Sequence, residues 1–119
     1  MGFEDGVIYK KSYKFAISVV RVYQYLKDRK KEFILSKQLL RSGTAIDALV
    51  REAKFAQSRA DFINKLSIAL KEANESEYWI DLLYDTNYLD SKRFKELKRD
   101  VIEIIKLLAS SVKSLKSSS

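Results

Sequence analysis

The chain contains no cysteine, no histidine and no proline, and glycine occurs only at Gly2, Gly6 and Gly43. The first two absences exclude disulfides, thiol catalysis, Cys/His zinc sites, haem ligation by histidine and every triad built on a histidine base. Di-iron bundle sites are excluded as well, because they need Glu-x-x-His pairs. The scarcity of proline and glycine argues against a sandwich or barrel, which needs frequent turn residues, and favours long helices. No apolar run approaches the ~18–20 residues of a membrane span. The stretch Met1-Gly-Phe-Glu-Asp-Gly6 lacks the basic and apolar segments of a secretory signal. Gly6 also stands where a myristoylation motif needs Ser or Thr. The expectation is a cytoplasmic protein with no membrane partner.

What is present fits one folded domain of 119 residues, 46% hydrophobic and 33% charged. After a loose leader (residues 1–8), a first helix is expected from about Tyr9 to Asp28. Phe15, Val19, Val22 and Leu26 recur there on one face. Asp28-Arg-Lys-Lys-Glu32 reads as a charged turn. A second helix spans about Phe33 to Gln57, with Leu35, Leu39, Ser42, Ile46, Leu49 or Val50, and Ala53 inward. Gly43 lies within it and allows close helix packing, a kink or a break. Close packing is favoured, because the apolar period crosses Gly43 without a phase shift.

Ser58, with Asp61 three residues on, is a capping-box variant that opens a third helix to about Tyr84. Its core face is Phe62, Leu66, Ala69, Ala73, Ile80 and Leu83. Asp85-Thr-Asn-Tyr-Leu89 is a turn with Asn87 at the C-cap. Asp90 or Ser91 then caps a fourth helix to about Leu115, with Phe94, Leu97, Val101, Ile104 and Ile105, Leu108, Val112 and Leu115 inward, and residues 116–119 form a frayed tail. No internal repeat or linker is visible. The expected fold is all-α, an antiparallel up-and-down four-helix bundle in a single domain over residues 1–119.

Ile68, Trp79 and Leu82 fall roughly opposite the core face of the third helix. They are candidates for an oligomer interface, since an outward Trp beside Leu and Ile marks a partner surface. The alternative is that neighbouring helices of the same bundle cover them.

The net charge is +7, and it is unevenly spread. Residues 1–59 carry 13 basic and 6 acidic side chains, residues 60–90 carry 2 and 7, and residues 91–119 carry 8 and 3. The third helix is therefore acidic and the others basic. Lys10, Lys14 and Arg21 share one face of the first helix, and Lys37, Arg41 and Arg51 one face of the second. Lys95, Arg99, Lys106 and Lys113 share a face of the fourth. Such stripes can neutralise successive phosphates of RNA or DNA, with Tyr13 and Tyr25 near enough to stack on bases and Tyr23 packing inward. They can equally be solvated faces, or pair with the acidic helix of a neighbouring subunit.

No phosphate-binding loop, dinucleotide turn or nucleophile elbow occurs. Glu72, Glu75, Glu77 and Asp81 spread around their helix, so a carboxylate metal site is the weakest of the readings. Glu77 lies near the core face and calls for a cationic or hydroxyl partner. The expectation is no catalytic residue, no metal and no cofactor.

The stretch Ser42-Gly-Thr-Ala-Ile-Asp-Ala-Leu-Val-Arg-Glu-Ala53 is followed by Asp61-Phe-Ile63, Leu66-Ser-Ile-Ala-Leu70 and Glu77-Tyr-Trp79. In this order the chain, over about residues 10–115, resembles a bacterial four-helix-bundle family first noticed as products of intervening sequences in 23S ribosomal RNA genes. That family is often labelled S23 ribosomal protein. The resemblance implies a pentameric ring. A related branch, the accessory proteins of diversity-generating retroelements, is a basic pentameric barrel that binds nucleic acid and a reverse transcriptase. Here the chain departs at Ala45-Ile-Asp-Ala-Leu49, where relatives commonly carry Asn at the position of Leu49. Likewise Arg51-Glu-Ala53 stands where relatives often show Ala-Glu-Gly.

The combined expectation is a non-enzymatic homo-oligomer that binds RNA or DNA through Lys10, Lys14, Arg21, Lys37, Arg41 and Arg51. The alternative is an interaction scaffold whose basic surface docks an acidic protein such as a reverse transcriptase.

Overall fold

The computed structural model describes residues 6–118. Four helices run in order: α1 (Val7–Arg29), α2 (Leu35–Lys54), α3 (Arg59–Asp85) and α4 (Ser91–Ser117). Each packs against its sequence neighbours, and α4 closes back onto α1 with the sparsest contact of the ring. Short connections between long helices force this up-and-down, antiparallel order. The result is a rod of 47 × 21 × 20 Å. Of the expected leader, residues 1–5 lie outside the described chain, while Val7 and Ile8 already belong to α1. At the other end, Lys116 and Ser117 are helical, and Arg59 donates to the Leu115 carbonyl at 2.9 Å and to Ser118 Oγ at 2.8 Å; Ser119 lies outside the described residues. Among the described residues no helix is long and apolar enough to cross a membrane.

The core follows the apolar periods. Phe15, Val19 and Leu26 of α1 are fully buried, with Leu39, Ile46 and Val50 of α2, Leu66, Ile80 and Leu83 of α3, and Val101, Ile104 and Leu108 of α4. Phe62 and Phe94, expected inside, sit half-buried at the core's edge. Phe94 stacks on Tyr84, ring centres 3.9 Å apart, and so ties α4 to the end of α3. Leu49 packs at the same edge, and the buried polar group of its stretch is Asp47, which accepts from Ser12 Oγ at 3.1 Å.

Gly43 does not kink α2; it admits α1. A Cβ there would lie 2.9 Å and 3.0 Å from the two Val19 γ-carbons. One residue earlier on α2, Ser76 Oγ donates to Ser42 Oγ at 2.8 Å, so small residues let α3 approach closely too.

The helix ends are set by side chains. Ser58 Oγ accepts from the Asp61 N–H at 3.0 Å, as the capping pattern implies. Asp90 caps α4 by accepting from the Arg93 N–H at 2.7 Å, and that bond holds its carboxyl below the usual range. Asn87 adopts a left-handed φ of 70°. The N–H groups of Asn87 and Tyr88 then close back on the Tyr84 and Leu83 carbonyls at 3.0 Å and 2.9 Å.

The start of α2 differs from the expectation. The helix begins at Leu35, not Phe33, and Glu32 is not a solvated member of a charged turn. Its buried carboxylate accepts from the N–H groups of Ile34 (3.1 Å), Leu35 (3.0 Å) and Ser36 (2.8 Å). Burial pushes the Glu32 pKa up, but these donors and the Ser36 hydroxyl outweigh it and leave the group below its ordinary value near 4.5.

Two stability outcomes follow. Gly43→Ala gains helix propensity of about 1 kcal/mol but drives a methyl into the stiff, buried Val19, which costs about 1–3 kcal/mol. Urea unfolding should show net destabilisation, and Val19→Ala should make the second substitution favourable. Glu32→Gln should cost about 1–2 kcal/mol near neutral pH, as lost helix caps do. Because the folded pKa is depressed, that stabilisation is complete above about 4.5 and disappears as pH falls through the lower folded value. The wild-type and Glu32→Gln midpoints should therefore converge in acid; a gap independent of pH would contradict the capping role.

Candidate nucleic-acid interface

The acidic helix is already occupied within the protomer. From α2, Arg41 lies 3.4 Å from Glu72 and hydrogen-bonds Glu75. The Glu72 hydrogen bond, with the charges of both carboxylates, holds the Arg41 guanidinium still more firmly protonated. From α4, Lys98 Nζ lies 2.8 Å from Glu77 and 2.7 Å from Asp81. Burial alone would lower the Lys98 pKa, but the bonds to Asp81 and Glu77 raise it. Glu77 thus has its cationic partner. Glu72 and Glu75 face one neighbouring helix and Glu77 and Asp81 the other; among the described residues no three such groups gather as metal ligands would.

The cations of α1 are placed differently. Lys10, Lys14 and Arg21 are exposed, as is Lys37 on α2, and none makes an ion pair with another described residue. Lys14 and Arg21 border an open groove of about 460 Å³ between α1 and α4. Arg93 and Arg99 stand on its α4 side, with Glu96 and Asp100 between. Arg93 covers Tyr25, 3.7 Å above the ring centre, so Tyr25 already has a stacking partner. Lower in the groove Lys11 pairs with Glu103 at 2.5 Å, a bond that holds the Glu103 carboxyl below its ordinary range.

The six basic candidates therefore divide. Lys10, Lys14 and Arg21 form one face with the α4 cations. Lys37 stands at the start of α2, near the α1–α2 connection. Arg41 is drawn to α3. Arg51 pairs with Asp47 of its own helix at 3.2 Å and lies 5.1 Å over the Tyr13 ring of α1.

Ile68, Trp79 and Leu82 are each half-buried, not outward. Trp79 packs against the core, meets Tyr78 edge-on at 4.8 Å, and buries its indole N–H without an acceptor. Tyr78 beside Trp79 is exposed, and three further exposed apolar side chains lie together on α1, of which sequence reasoning named only Tyr13. Tyr13 (52% exposed), Ile17 (37%) and Val20 (36%) line the outer face of α1 beside its cations. Their spacing of four and three was legible, but it interleaves with Lys10, Lys14 and Arg21.

Residues 4–110 match the family described as 23S rRNA-intervening sequence protein. No curated protein sequence matches the chain. Among solved structures, a protein of unknown function from the S23 ribosomal protein family of Bacteroides thetaiotaomicron is 54% identical. The match covers 92% of this chain and 97% of that one, with a TM-score of 0.89. With more than half its length matched and its bundle shared, the chain belongs to the 23S rRNA-intervening sequence protein family, also called the S23 ribosomal protein family.

Proposed function

We propose that this protein is a non-enzymatic homo-oligomer, a pentameric ring, that binds RNA or DNA through the α1–α4 face. The observation that supports the reading is the sorting of charge. Arg41 and Lys98 occupy the α3 carboxylates, and Lys10, Lys14 and Arg21 are left exposed along about 16 Å of one rigid helix. Cations fixed in a row neutralise successive phosphates and release counterions, and the affinity they supply is sequence-independent and salt-sensitive. Lys37 adds to the same field. Arg41 and Arg51 contribute less, because each must first leave a carboxylate.

Oligomerisation rests on apolar surface that the protomer leaves uncovered. The exposed Tyr13, Ile17 and Val20 stripe of α1 and the exposed Tyr78 of α3, with the half-buried Ile68, Trp79 and Leu82 beside it, belong to diagonally opposed helices. Two different patches on one subunit make a head-to-tail contact, the kind that closes into a ring when its rotation permits. A ring repeats each basic face, and the repeats raise avidity without any new contact.

Single-stranded RNA titrated at several salt concentrations should lose affinity with a log–log slope of about −0.7 per phosphate neutralised. Lys14→Ala with Arg21→Ala should flatten that slope by about 1.4, while Arg41→Ala changes it far less. Absence of binding at low salt would overturn the reading. In light scattering, Ile17→Asp with Val20→Asp should shift the assembly toward monomer at unchanged helicity; an unchanged mass would remove α1 from the interface.

A further inference from the structure

The connection between α1 and α2 holds large apolar side chains out in solvent by a specific device. Lys31 takes a left-handed φ of 58°, which is uncommon outside glycine, asparagine and aspartate. The Glu32 N–H then donates to the Leu26 carbonyl at 3.0 Å, and the Glu32 side chain turns inward. Its carboxylate ties down the three N–H groups of Ile34, Leu35 and Ser36, and Ser36 Oγ donates back to the Glu32 carbonyl at 3.0 Å. A segment fixed at both ends in this way leaves Phe33 55% and Ile34 69% exposed.

Around this tip stand Lys27, Arg29, Lys30, Lys31 and Lys37, all exposed and none ion-paired with a described residue. Asp28 is the one exposed acid between residues 27 and 37, since the charge of Glu32 is absorbed by the N-terminus of α2. The macrodipole at the C-terminus of α1 favours cations there. It gives no reason for an aromatic ring and an isoleucine to be held in water beside them. A rigid exposed aromatic ring among unpaired cations is the arrangement by which proteins hold single-stranded nucleic acid: bases stack on the ring and phosphates meet the cations. Bases inside a duplex are stacked on one another and present no face to such a ring.

We propose that the α1–α2 tip is a recognition point for unpaired nucleotides, with the Phe33 ring stacking on a base and Lys30, Lys31 and Lys37 taking the flanking phosphates. The proposal rests on the nucleic-acid reading above and adds a preference to it. The α1–α4 face supplies general phosphate affinity, and the tip selects single strands, loops and bulges. Ile34 packs against the edge of the stacked base.

The experiment compares a labelled RNA hairpin with an unpaired loop against a blunt duplex of equal length, at one salt concentration. Wild type, Phe33→Ala, Phe33→Leu and Phe33→Trp are used as full chains, with thermal unfolding as the folding control. Phe33→Ala should weaken hairpin binding by about 5- to 100-fold, the value of one stacked base, and duplex binding by less than twofold. Phe33→Leu should resemble Phe33→Ala, and Phe33→Trp should restore affinity. Retained hairpin affinity in Phe33→Ala, or full affinity in Phe33→Leu, would overturn the proposal. So would equal losses on hairpin and duplex. Wild-type binding to phosphatidylglycerol vesicles that Phe33→Ala abolishes, with hairpin affinity intact, would assign the tip to a membrane instead. If wild type binds neither RNA, the broader nucleic-acid reading fails; if it binds both and Phe33→Ala changes nothing, only the tip proposal fails.

Discussion

The pairing of the α3 carboxylates with Arg41 and Lys98 organises the rest of the surface. Helix α3 carries six of the chain's 16 acidic residues, the densest negative charge in the bundle, and it lies between two basic helices. Each neighbour sends one long cation across: Arg41 reaches Glu72 and Glu75, and Lys98 reaches Glu77 and Asp81. These pairs are partly exposed, so their net worth to stability is small. Their effect on the field is larger. They cancel the acidic helix locally, so the charge surplus of the chain is displayed on α1, on the outer face of α4 and at the α1–α2 tip. The family assignment concerns descent and fold; the functional reading comes from this displacement of charge.

The same closeness of helices governs the apolar surface. Gly43 opposite Val19, and Ser42 opposite Ser76, remove the bulk that would hold helix axes apart. Two of the buried hydroxyls are satisfied within the bundle: Ser12 by the Ile8 carbonyl and Asp47, Ser76 by Ser42 and the Glu72 carbonyl. Trp79 packs against the core, and the exposed Tyr13, Ile17 and Val20 of α1 stand beside its cations. Subunit contact and nucleic-acid contact, on this account, share one helix.

Much of the fold was legible in the sequence, and the reasons are local. The core period of α1 and α4, the caps at Ser58 and Asp90, and the left-handed turn at Asn87 each depend on residues close in sequence. The reading of Gly43 as a close approach also rested on an unbroken period. Three features depend on what lies across the bundle and were not legible. Glu32 looks like one more charge in Asp28-Arg-Lys-Lys-Glu32; only the turn at Lys31 directs it inward as a cap. Trp79 lies on the flank of the α3 core face on a helical wheel, about 90° from its centre, and a wheel carries no information about which flank a neighbouring helix covers. The basic stripe of α2 is one face in projection, yet Arg41 and Arg51 lean to opposite neighbours because their carboxylates lie on opposite sides.

Lysine acetylation footprinting by mass spectrometry, with and without single-stranded RNA, tests this sorting of charge most directly. Both samples contain the same protein assembly, so the difference between them reports the nucleic acid alone. Protection should fall on Lys10, Lys14, Lys30, Lys31 and Lys37, while Lys65, Lys71 and Lys98, beside or between the α3 carboxylates, stay at their starting reactivity. RNA-dependent protection of the α3-side lysines with Lys10 and Lys14 unchanged would contradict it.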